Sequence, residues 1–185
     1  MQEGRRKSMF STLHLAQMGM MGAVSIVLVY LVHFPIFQAV PFLEYDPADV
    51  PLILSGFLFG PLAGFLLTVI TAVVQGLTVS AQSGPVGIIM HIFATGSYVL
   101  VAANIYKRNK TRKTAIIAMA AGIVTMVVSM AAWNMLISPL YMGIPAEEFL
   151  KILFPFIIPF NLIKAGANSI IAFIVYKYVS KVLAH

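Results

Sequence analysis

The sequence has no cysteine, and only 10% of its residues are charged, with six acids in the whole chain. Without thiols, disulfides and thiolate metal sites are excluded. A soluble domain carries about 25% charged residues; this chain is 60% hydrophobic, with a mean hydropathy of +0.94. It reads as an integral membrane protein. The first apolar segment, 13–32, is long and has no small-residue cleavage site, so no cleavable signal is expected. No nucleotide-binding loop is present, so the chain cannot drive transport with ATP by itself. His-Glu-x-x-His is missing, the expected spans hold no paired carboxylates, and no Ser/His/Asp arrangement lies at helix depth. Intramembrane catalysis needs such groups held together. The expectation is therefore no enzyme, no metal and no resident cofactor.

The 185 residues allow six spans of about 20 residues each. The net charge of +6 is not spread along a soluble face, which argues against a nucleic-acid partner. Bases cluster at Arg5, Arg6 and Lys7, then from Lys107 to Lys113, then at Lys177 and Lys181. Five of the six acids, Glu44, Asp46, Asp49, Glu147 and Glu148, fall in the other connections. That partition follows the positive-inside rule. It predicts an all-α integral membrane bundle of six transmembrane helices with both termini cytoplasmic. The chain forms one membrane domain, with a cytoplasmic N-terminus over 1–12 and the bundle over 13–180, in a bacterial plasma membrane.

Taken in order, the helices are expected near 13–32, 48–59, 62–79, 86–106, 114–137 and 152–179. Helix one carries Gly19-x-x-x-Ala23, small residues at a spacing that permits close helix approach, either within the chain or to a partner subunit. Asp46-Pro47-Ala48-Asp49 reads as a helix start, with Asp46 as N-cap and Pro47 at the first position. The same acids could instead line a pocket mouth. Gly60-Pro61 breaks helix two from helix three. His91 and Thr95 share a face of helix four, the usual place for a bridge between helices. Ser138-Pro139 is expected to end helix five, just after Trp133 and Asn134.

One stretch departs from plain membrane filler. Offsets of three and four residues place Asn161, Lys164 and Asn168 on one stripe of the last helix. An ammonium at hydrocarbon depth costs about 2.5–3.5 kcal/mol, so it ordinarily faces a cavity, a partner or a ligand. Lys164 is read as the floor of a pocket in the outer half of the membrane, with Asn134 at similar depth. Amide and ammonium donors among aromatics and methionines suit a flat, mostly apolar ligand with a polar edge.

The segments Glu44-Tyr-Asp-Pro-Ala-Asp-Val-Pro51, Gly56-Phe-Leu-Phe-Gly-Pro-Leu-Ala-Gly64 and Pro159-Phe-Asn-Leu-Ile-Lys164 resemble the substrate-binding S components of energy-coupling factor (ECF) vitamin transporters. Phe-Asn-x-x-Lys is most similar to the riboflavin-specific branch. The resemblance implies capture of riboflavin, as transported ligand rather than cofactor, from outside. It also implies association with a transmembrane coupling subunit and two cytoplasmic ATPases. Asn161 and Lys164 would hydrogen-bond the polar edge of the isoalloxazine ring, and Asn134 would add contacts, with Asn168, His91 and Trp133 as further site residues. Gly19 and Ala23 stand where the family's Ala-x-x-x-Ala docking motif would lie. Helix three departs from the branch, with Gln75 as its only amide. Another small vitamin or precursor (thiamine, pantothenate, a queuosine precursor) or a self-sufficient carrier is the alternative.

Overall fold

The computed structural model describes residues 11–81 and 84–183, with side chains to 180. The Arg5-Arg6-Lys7 anchor, Gln82 and Ser83 in the turn after helix three, and the Lys181 side chain lie outside them. The chain runs as α1 (Thr12–Leu31), β1 (Phe34–Pro35), β2 (Glu44–Tyr45), α2 (Asp49–Phe59), α3 (Pro61–Leu77), α4 (Gly84–Arg108) and α5 (Arg112–Met142). It ends with α6 (Ala146–Ile152), a π-helical turn (Leu153–Ile157) and α7 (Ile158–Leu183). The last three run without a break and make the sixth pass. α1, α4, α5 and the pass from Ala146 to Ser180 are long and apolar enough to cross a membrane; α2 and α3 are apolar but shorter.

The bundle is built around α2. Its residues Asp49 to Phe57 are all buried, and it packs against α1, α3, α4 and α7. A helix apolar on every side belongs inside the protein rather than against lipid. Its turn into α3 is set by Gly60, whose φ of 103° only glycine adopts without strain, followed by Pro61 at the first helical position. Close packing then depends on Gly64. A Cβ added there would lie 2.6 Å from the Gly56 Cα, so the Gly56-to-Gly64 motif lets two helix backbones meet directly.

At the end of the bundle that holds Lys107 and Lys110, which line one cleft with Phe59 and Gly60, aromatic rings close the core. Phe57 stacks on Tyr106 at 4.4 Å, and the Tyr106 hydroxyl donates to that of Tyr176 at 3.1 Å. From that end, the 11 residues of α2 rise only about 16 Å, roughly half of a hydrocarbon core about 30 Å thick. The α1–α2 connection therefore descends to mid-depth. Irregular backbone is tolerated there only when protein covers it or when it lines a cavity. Val40, Asp46 and Ala48 are buried, and Ser25 of α1 donates to the Ala48 carbonyl at 2.7 Å. The antiparallel β1–β2 pair, Phe34 opposite Tyr45 and Pro35 opposite Glu44, folds the connection back on itself.

Several sequence expectations change. The N-cap position of α2 is Ala48, not Asp46; the Asp46 Oδ1 instead accepts from the Ala48 N–H at 3.0 Å, and its other oxygen points across the bundle. α5 does not stop at Ser138-Pro139 but continues to Met142, where Gly143 closes it in the left-handed conformation. The final pass starts at Ala146 rather than near 152. Pro155, which has no N–H and whose ring opposes a regular helix, is absorbed by the π-helical turn, whose wider winding closes with Ile158 N–H donating to the Leu153 carbonyl.

Candidate binding site

Where the connection meets the head of α2, polar side chains from four parts of the chain converge. The Lys164 Nζ donates to the Asp46 Oδ2 at 2.7 Å, both groups being nine-tenths buried. Asn168, one turn further along α7, donates from Nδ2 to the Asp46 carbonyl at 3.1 Å and to the Asp49 Oδ2 at 3.4 Å. The Tyr45 hydroxyl donates back to the Asn168 Oδ1 at 3.0 Å. From α4, the Thr95 hydroxyl donates to the Asp49 Oδ1 at 2.9 Å. The His91 Nε2 lies 3.6 Å from that same oxygen and makes no hydrogen bond, although the atom is enclosed.

Each part of this arrangement has a local cause. Lys164 and Asn168 share a face because they are four apart on α7. His91 and Thr95 share one on α4 for the same reason. Asp49 sits in the first turn of α2, where the exposed N–H groups and the helix dipole favour a carboxylate. Asp46 lies on the connection. Burial opposes ionisation of Asp46, but the Lys164 ammonium and its hydrogen bond outweigh that and hold the carboxyl below its ordinary value of 3.8. Burial, and then the Asp46 charge, raise the Tyr45 hydroxyl above its ordinary value.

This corrects two readings of the sequence. The bundle interior does carry carboxylates: Asp49 is the first residue of α2 and 2% exposed. Lys164 does not face an open cavity; an ammonium in a low-dielectric interior draws in a counter-charge, and the connection supplies Asp46. Clefts of about 370 and 420 Å³ open elsewhere, and neither is lined by Lys164. The larger is lined by apolar side chains of α1, α2 and α7 together with Pro47, and offers no polar group to orient a ligand.

The other anticipated residues behave differently. Asn161 is buried, yet its Nδ2 donates to its own helix at the Ile157 carbonyl, 2.8 Å. Asn134 likewise donates to Met130 at 2.9 Å and accepts from Ser138 at 2.8 Å. Trp133 of α5 lies against Phe93 of α4, ring centres 4.1 Å apart. Among the described residues no hydrogen bond joins Asn134, Asn161 or Trp133 to the Lys164 network. On α1, Gly22 and Ser25 face the core, whereas Gly19 and Ala23 are exposed, so their spacing does not serve packing inside the chain. Sequence reasoning missed Tyr45 and the cross-links made by Asp46 and Asp49, while the helix bridge expected of the His91/Thr95 face is made by Thr95, to Asp49 of α2. A signal existed: a buried lysine demands a counter-ion, and Asp46 and Asp49 are the acids that lead directly into an unbroken apolar run.

Comparison with known proteins gives a consistent result. The family model for the substrate-specific component of ECF transporters matches residues 13–176. The chain is 30% identical to the riboflavin transporter RibU of Staphylococcus aureus (strain TCH60), over 97% of both chains. It is 29% identical to the riboflavin transporter FmnP of Bacillus subtilis (strain 168), over 88% of this chain and 89% of that one. A solved structure described as the S component of a bacterial ECF transporter superposes with a TM-score of 0.79 at 30% identity, covering 92% of this chain and 97% of that one. The chain is thus a multi-pass membrane protein that belongs to the substrate-specific S components of ECF transporters.

Proposed function

We propose that this S component binds riboflavin from outside the cell and delivers it inward when docked to an ATP-driven ECF module. The observation that carries this reading is the agreement along nearly the whole chain with riboflavin transporters. The site is chemically suited to it. The isoalloxazine ring is flat and largely apolar, with carbonyl and imide groups along one edge. Lys164 and Asn161 on α7 and Asn134 on α5 supply amide and ammonium donors for that edge. Trp133 with Phe93 supplies an aromatic face, and Asn168 and His91 complete the polar lining.

Asn134 and Asn161 are available at modest cost, because each exchanges a bond four residues back along its own pass for one to the ligand. Lys164 must exchange or share Asp46, so the connection that carries Asp46 moves or adjusts as the ligand enters. A subunit without an energy source can only equilibrate its ligand. Directional delivery therefore falls to partners, namely a transmembrane coupling subunit and two cytoplasmic ATPases, reached through the exposed Gly19 and Ala23 of α1. The chain itself catalyses no reaction and acts as a single membrane domain.

Purified protein provides the test. Riboflavin should co-purify or bind stoichiometrically, with its fluorescence quenched. Liposomes containing this chain alone should not accumulate it, whereas liposomes that also contain the coupling subunit and ATPases should. Tight binding of thiamine or pantothenate with none of riboflavin would overturn the ligand assignment, and accumulation by the chain alone would overturn the partner assignment.

A further inference from the structure

Away from the Lys164 network, at the cytoplasmic end of the bundle, a cleft of about 370 Å³ opens where α2 turns into α3. Phe59, Gly60 and Leu62 of the turn line it, together with Lys107 from the last turn of α4 and Lys110 from the connection that follows. The turn joins the C-terminus of one helix to the N-terminus of the next. Their opposed dipole ends offset each other, so the two lysines set the sign of the cleft. Both lysines are exposed. Among the described residues the ion pairs are Lys164–Asp46 and His91–Asp49, so no carboxylate neutralises Lys107 or Lys110. Leu62 also begins an apolar stripe: Leu62, Leu66, Ile70 and Val73 share one face of α3, and all four are exposed. A positively charged cleft thus leads onto a lipid-facing track that runs into the membrane. The cleft between α1, α2 and α7 has only apolar lining and offers no such combination.

We propose that this cleft binds the headgroup of an anionic phospholipid of the cytoplasmic leaflet, with its phosphate against Lys107 and Lys110 and an acyl chain along Leu62, Leu66 and Ile70. Basic pockets between transmembrane helices on the cytoplasmic side suit such headgroups, and each lysine adds to the attraction of anionic lipid. A free phosphate ion would meet the same two ammonium groups but leave the apolar track unused. A molecule with an anionic head and an apolar tail satisfies both. Arg112 and Lys113, at the start of α5, carry equal charge at the same end of the bundle without lining the cleft. They therefore separate a site from the general attraction of a basic surface. Nothing in this lipid site rests on the riboflavin reading.

The test titrates the full-length chain, purified in a neutral detergent, with phosphatidylglycerol or phosphatidylcholine and counts bound lipids by native mass spectrometry. Phosphatidylglycerol should bind about tenfold more tightly than phosphatidylcholine of the same chain length. Lys107→Gln/Lys110→Gln should weaken phosphatidylglycerol about tenfold, whereas Arg112→Gln/Lys113→Gln should leave it within about threefold of wild type. A melt in detergent alone verifies that each variant is folded. Equal binding of the two lipids would overturn the proposal, as would equal losses in the two double variants. Inorganic phosphate should not displace the lipid at millimolar concentration; displacement would mean a site for a free anion. Should a variant not purify as folded protein, wild type photo-cross-linked to phosphatidylglycerol with a reactive headgroup decides. Adducts on residues 56–62 or 107–110 support the site, and adducts confined to other segments overturn it.

Discussion

The site residues fall into two groups that are wired differently. Lys164 and Asn168 reach across the bundle to residues 118 to 123 positions away in sequence. Asn134 on α5 and Asn161 on α7 instead bond four residues back along their own passes. The first group fixes where the α1–α2 connection and the head of α2 sit. The second contributes little to that architecture and keeps its donors close to being free. A pocket that must both hold its shape and accept a guest needs both kinds of residue, and here Asn161 of the second group shares a stripe of α7 with Lys164 and Asn168 of the first.

The sharpest way to break this contrast is Lys164→Ala. It leaves the Asp46 carboxylate buried without a partner, and removing one member of a buried pair typically costs about 3–5 kcal/mol. A thermal melt in detergent should show a large loss of stability, and Asp46→Ala/Lys164→Ala should regain much of it. A single variant as stable as wild type would mean that the ion pair does not hold the connection.

Acid acts on the same contact more gently. Asp46 has its folded pKa lowered below 3.8, so its stabilising contribution is fully present above that value and is lost as pH falls through the lowered one. Melting temperature should stay level down to about pH 5 and drop below about pH 4 in the wild type, but less in the double variant. Parallel curves for the two proteins would place the acid sensitivity elsewhere.

Asn161→Ala sharpens the comparison from the other side. It removes one own-helix hydrogen bond and should leave the melt within about 1 kcal/mol of wild type. Riboflavin affinity should nonetheless fall about tenfold, the scale of one lost hydrogen bond to a bound ligand. A large stability loss with unchanged affinity would reverse the roles assigned to the two groups.

What was legible in the sequence follows the same division. Helix passes came through because runs of about 20 apolar residues and the placement of bases are local signals. The stripe of Asn161, Lys164 and Asn168 came through because it depends only on helical period. Gly60-Pro61 was read as a break for the reason the structure gives. The Asp46–Lys164 pair was not legible, since it joins residues 118 apart in sequence and depends on α2 being too short to reach the outer surface. Asp46-Pro47-Ala48-Asp49 looked like a helix start because local capping and long-range ion pairing ask for the same residue types. The continuation of α5 through Pro139 and the π-helical turn at Pro155 were also hidden. In each, tertiary packing overrides a local breaker.

The most direct measurement is riboflavin binding to the Asp46→Ala/Lys164→Ala double variant, in which neither member of the buried pair is left without the other and folding can be verified by its melt. The double variant should fold, with a riboflavin dissociation constant raised by about tenfold or more, the scale of a lost charge-assisted hydrogen bond. A folded double variant that binds riboflavin as tightly as wild type would contradict that expectation.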